Sequence, residues 1–141
     1  MKKLLLSLCP LLFLATACKK SNSAQAYSKD NISGTYKLVA MDVTVPGLIG
    51  AQDAYAGLAT CEQDNEYCLN PDDTFLYVDA GNVCEPAGDY KGQWSVKGSQ
   101  ISFFGNTGEI VSFDGLILQV RSRMIDQDNA YTVTSTYRRQ Q

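Results

Sequence analysis

The sequence predicts an all-β domain, an eight-stranded antiparallel up-and-down β-barrel, and three observations carry that prediction. Apolar and polar residues alternate with period two through most of the chain after residue 32, as they do in strands with one face buried. Turn-forming residues interrupt the alternation at short intervals, as at Asn70-Pro71-Asp72, Ala80-Gly81-Asn82, Lys97-Gly98, Gly105-Asn106 and Asp114-Gly115. Only one stretch, 48–60, carries a helical period. Short hairpins leave each strand beside its neighbour. Closure into a barrel then removes the edges that strands rich in Thr, Tyr and Val would expose.

The chain begins with a segment that does not belong to this domain. Met1-Lys2-Lys3 is basic, residues 4–14 are apolar, and the small residues Ala15-Thr16-Ala17 lead directly into Cys18. The apolar run is too short to cross about 30 Å of hydrocarbon, so residues 1–17 read as a secretory signal. The cysteine directly after it resembles a bacterial lipobox, which makes Cys18 the acylated first residue of a mature lipoprotein, carrying palmitate-type chains. The expected location is the bacterial cell envelope, lipid-anchored at the outer membrane. Residues 18–31 are polar and small and read as a flexible tether from the lipidated Cys18.

The barrel domain is expected over 32–139. Its first strand, 35–45, alternates with Tyr36 and Leu38 on one face and then turns apolar on both, the sign of a bulge or a covered strand end. Pro46-Gly47 ends it. In 48–60, Leu48, Ala51, Tyr55 and Leu58 share a helical face, but three glycines between 47 and 57 dilute the pattern. A short helix or an ordered loop is expected between the first two strands. Strands follow at 66–69 and 74–79. The clearest half-buried strand sets Tyr90, Gly92, Trp94 and Val96 against Lys91, Gln93 and Ser95. Three more are expected at 100–104, 108–113 and 116–124, and a last one places Tyr131, Val133, Ser135 and Tyr137 on one face.

Gly34-Thr35-Tyr36-Lys37-Leu38 and Gly92-Gln93-Trp94-Ser95-Val96 share the form Gly-x-aromatic-x-aliphatic. Together with Cys61, Asp64-Asn65-Glu66, Asp72-Asp73-Thr74-Phe75, Cys84 and the terminal Tyr137-Arg138-Arg139, they resemble the small lipocalin-like lipoproteins of Bacteroidetes-type bacteria. Tyr36 stands where that family has its first Trp, and Asp73 where its turn has Gly. The resemblance implies an eight-stranded barrel with one mouth. Arithmetic alone leaves one pair and one free thiol among Cys61, Cys68 and Cys84. The resemblance implies Cys61–Cys84, with Cys61–Cys68 the competitor. With no histidine to activate it, Cys68 is expected to be a buried or half-buried inert thiol.

Charge and residue usage exclude much else. Of twelve basic residues, removal of Lys2 and Lys3 leaves ten against fifteen acidic ones, a formal charge of −5 that argues against nucleic acid and against anionic lipid. The chain has no histidine, so three cysteines fall short of a zinc site and general-base catalysis lacks its usual agent. The close carboxylate pairs, Asp64 with Glu66, Asp72 with Asp73 and Asp126 with Asp128, sit at turns and strand ends, where they cap backbone. No cofactor, no metal and no enzymatic activity are expected. The candidate cavity lining is Tyr36, Leu38, Phe75, Tyr77, Trp94, Phe103 and Tyr131, on an inward face that also carries Tyr90, Phe113, Leu118, Val133 and Tyr137. A barrel this small is expected to be mostly filled, with a shallow mouth. Two functions follow as expectations: binding of a small hydrophobic ligand, or a filled structural module presenting residues 46–60 to another envelope protein.

Overall fold

The computed structural model describes residues 27–126 and 129–141, so the signal segment 1–17 and Cys18 lie outside the described residues. Order begins earlier than the expected end of the tether. A one-turn helix, α1 (Lys29–Ile32), precedes the sheet, with the Ser28 N–H donating to Asn31 Oδ1 at 3.1 Å. Its reason is Ile32, which is fully buried beneath the barrel floor, while Tyr27 packs partly against the same core.

Among the described residues the sheet holds ten strands. They are β1 (Gly34–Thr44), β2 (Gln52–Asp53), β3 (Glu66–Leu69), β4 (Thr74–Val78), β5 (Tyr90–Gln93), β6 (Ser95–Lys97), β7 (Gln100–Phe103), β8 (Asn106–Phe113), β9 (Ile117–Asp126) and β10 (Asn129–Arg139). Their order is β5-β4-β3-β1-β10-β9-β8-β7-β6, all antiparallel, with β2 laid beside β1 off this path. The two ends of the path, β5 and β6, are consecutive in sequence, so the sheet curls into a nearly closed barrel.

Two departures raise the count from the expected eight. β2 is a two-residue addition pairing Asp53 with Asp42 and Gln52 with Val43. The other is the strand expected over 90–96, which breaks at Trp94. The Trp94 N–H donates to Asp73 O at 2.9 Å and its indole Nε1 to Asn70 O at 2.7 Å. Both donors are therefore taken by the β3–β4 turn, and the residue leaves the ladder to sit almost fully buried beside that turn. At this point the chain exchanges β4 for β7 as its partner.

The stretch 48–60 contains no continuous helix. It resolves into β2, a 3-10 turn at Tyr55–Gly57, and the start of α2 (Thr60–Gln63). Tyr55 and Leu58 pack against the core as the helical face required, but Leu48 and Ile49 are exposed in the loop that follows β1. The bulge anticipated in the first strand is present, as a register shift between Leu38 and Ala40 against β10. Asp73 takes a left-handed φ of 71°, the conformation for which the turn otherwise selects Gly, and its carboxylate pairs with Lys29.

Packing is concentrated at the end of the barrel where α1 lies. Tyr36, Leu69, Phe75, Trp94, Phe113 and Leu118 are buried there. Arg139 at the end of β10 ties this end together: Nη2 donates to Asn31 O at 2.6 Å, Ser33 O at 3.0 Å and Tyr36 Oη at 2.7 Å. Its guanidinium carbon lies 5.3 Å from the Tyr36 ring centre and 5.2 Å from that of Phe113, in reach of cation–π attraction. Tyr36 in turn donates to Ile32 O at 2.6 Å. Burial raises the Tyr36 hydroxyl above its ordinary pKa, although the charge and hydrogen bond of Arg139 pull the other way. Gly34 is required here by close approach, because a Cβ on it would stand 2.9 Å from Arg139 Nε.

Candidate functional site

The opposite end of the barrel is hollow. A partly enclosed cavity of about 370 Å³ opens among the far ends of the long strands. Its size corrects the expectation of a mostly filled interior, and the cause lies in side-chain volume. Inward positions near the sealed end hold Tyr36, Phe75 and Trp94, whereas those on β8, β9 and β10 toward the mouth hold Gly108, Ser122, Val133 and Ser135. The alternation is the same at both ends; the residues are smaller at one of them.

Of the seven candidate lining residues, Phe103 and Tyr131 line the cavity. Tyr36, Leu38, Phe75 and Trp94 do not; they are buried in the core below it. Tyr77 packs partly against that core, accepting a hydrogen bond from Asn65 Nδ2 at 2.5 Å through its hydroxyl. The lining that alternation did not single out comes from Met41 and Val43 on β1, Tyr67 on β3 and Met124 on β9. Met41 and Val43 belong to the stretch that reads as apolar on both faces, which was the one signal for them.

The cavity floor is aromatic. Tyr67 and Tyr137 meet edge to face with centroids 5.1 Å apart, and Tyr137 meets Phe103 at 5.7 Å. Phe103 then contacts Phe75 of the core at 5.6 Å, so floor and core are one packed unit. Burial pushes the Tyr137 hydroxyl up to about 12, with a hydrogen bond to Ser135 easing the shift. Burial raises Tyr67 still further, helped by repulsion from Tyr137, Tyr77 and Glu62. Both phenols therefore stay neutral and can donate or accept a hydrogen bond, but neither can serve as a base near pH 7.

One wall is closed by rings instead of backbone. Phe104, in a left-handed conformation with φ 53°, sits between Phe75 at 5.8 Å, Tyr77 at 5.1 Å and Tyr90 at 5.0 Å. β5 has a ladder partner on one side only, and this cluster covers the gap where the sheet fails to meet itself. Tyr90 thus belongs to the seam: it is half-exposed, its ring lying where a Cβ on Gly92 would be.

The remaining candidates are structural. Cys61 and Cys84 form a disulfide with Cα atoms 5.3 Å apart, and Cys68 is a half-buried free thiol that accepts a hydrogen bond from Thr35 Oγ1 at 3.6 Å. Asp79 accepts from the N–H groups of Cys84 at 3.1 Å and Gly88 at 3.0 Å, and Asp64 from that of Asn82 at 2.9 Å. The Asp72 carboxyl is held below the usual carboxylate range by the Thr74 hydroxyl and N–H. Glu66 pairs loosely with Lys37 at 3.9 Å, and Asp128 lies outside the described residues. Among the described residues no group of three His, Cys, Asp or Glu side chains is placed to hold a metal. No protein-family model matches the chain, and no curated protein matches it.

Proposed function

We propose that the chain is a lipid-anchored envelope protein with a lipocalin-like barrel that takes up a small hydrophobic or amphipathic molecule at its open end. The observation that supports the binding role is the cavity of about 370 Å³, floored by aromatics and walled by Val, Ile and Met. Support for the anchor is the basic, apolar and small-residue succession that runs into Cys18. In this reading the anchor joins at the sealed end through α1, and the mouth stands at the far end of the barrel.

A second reading is a protein-interaction module presenting the 46–60 loop, and the exposed Leu48 and Ile49 favour it. It presupposes a filled interior, which the cavity weighs against. Native mass spectrometry of the protein purified from its own envelope separates the two. A co-purifying small molecule lost on Val133→Trp supports the binding role; a clean apo mass with a stoichiometric protein partner supports the other. Labelled palmitate incorporated into the wild type and absent from Cys18→Ala tests the anchor.

A further inference from the structure

Among the described residues the cavity is lined by apolar and neutral polar side chains, with no Asp, Glu, Lys or Arg. An ionised ligand entering it would surrender its hydration with no counter-charge to replace it, a loss far larger than that of a neutral polar group. The tyrosines of the floor do not relieve this, because burial keeps Tyr67 and Tyr137 protonated.

The polar groups that do face the space are few and specifically placed. Register pairs Val133 with Ser122 and Ser135 with Val120, so the two serines stand on adjacent strands, one step apart along the same inward face. The Ser122 side chain is half-buried and lines the cavity. Gly108 on the next strand is what leaves it uncovered: a Cβ there would stand 2.5 Å from Ser122 Oγ and 2.5 Å from Val120 Cγ1. Ser135 stands two residues before Tyr137 on the same face of β10, which extends the strip toward the floor. Met41 and Met124 flank it with adaptable, unbranched side chains.

Resting on the binding role proposed above, we infer that the ligand is uncharged and carries a hydroxyl or carbonyl oxygen that seats against the Ser122–Ser135 strip, and that carboxylates are excluded. A neutral oxygen exchanges its water for these hydroxyls at little cost.

The test is displacement of the uncharged probe N-phenyl-1-naphthylamine from the full chain carrying Cys18→Ser, at pH 7.5, by decan-1-ol, decanoate and decane. Decan-1-ol is expected to displace the probe at least tenfold more effectively than decanoate. The Ser122→Ala/Ser135→Ala double variant is expected to lose most of the advantage of decan-1-ol over decane while keeping its melting transition. Decanoate equal to or better than decan-1-ol overturns the inference while the binding role stands. An unchanged alcohol preference in the double variant overturns the serine seat. If neither the probe nor any of the three compounds binds, the binding role itself falls.

Discussion

The two ends of this barrel share strands, register and alternation, yet they are held together by different means. At the sealed end large side chains interlock, and Arg139 closes the floor by donating to Asn31, Ser33 and Tyr36. In the open half the interior is hollow, and order comes from the Cys61–Cys84 bond and from carboxylates that cap loop amides, Asp79 and Asp64 foremost. Packing supplies stability where the interior is filled. Covalent and polar tethers supply it where packing would fill the space. The contrast teaches that a small barrel can divide its length between a core and a cavity by grading side-chain size along strands of constant pattern.

Breaking the sealed end is expected to have the largest effect. Trp94→Ala removes the biggest buried side chain and frees the Asn70 carbonyl, and should cost about 3–5 kcal/mol, read as a fall in the urea midpoint. The open half should respond next. Cys61→Ser/Cys84→Ser reopens a loop of sequence separation 23 and should cost about 3 kcal/mol, with probe binding weakened as well. If probe binding survives that variant unchanged, the division of labour drawn here fails.

A third experiment asks whether the cavity floor belongs to the core. Tyr137 titrates near 12 in the fold against 10.0 in an unfolded chain. Between those values the unfolded state has lost a proton that the native state keeps, so unfolding free energy falls as pH rises. Its contribution is complete below pH 10 and lost by pH 12, roughly 2–3 kcal/mol at 1.36 kcal/mol per unit. Denaturant midpoints at pH 8, 10 and 11.5 should show the decline, and Tyr137→Phe should make it shallower, leaving the part that the raised Tyr67 and Tyr36 contribute. The smallest effect on stability is expected from Val133→Trp, which fills space already empty: a change below about 1.5 kcal/mol, with loss of probe binding.

Much of this architecture was legible in the sequence. β3 coincides with the strand expected at 66–69, the first strand carries its bulge, and the last strand does turn Tyr131, Val133, Ser135 and Tyr137 toward one interior space. The break at Trp94 was not legible, because 90–96 alternates without a flaw and the cause is two hydrogen bonds to residues more than twenty positions away. Nor was the depth of each side chain. Alternation says which face a residue occupies but not how far along the barrel it stands, so Tyr36 and Tyr131 looked equivalent though one seals the floor and the other lines the mouth. In 48–60 the apolar spacing identified Tyr55 and Leu58 as packing residues while misreading the backbone that delivers them.

The seam at Phe104 sets how the wall yields under load. Around the rest of the circumference adjacent strands are joined by ladders of directional bonds that break only by being lost. Here the joint is a set of ring faces and edges, which slide past one another with little change in contact. The circumference can therefore widen at one line without any rung of the ladder opening, as a pipe with a slip joint takes up expansion. Amide exchange should map this mechanical asymmetry, slowest along β1 and β10 and fastest along β5 and β6, the two ends of the path, each with a ladder partner on one side.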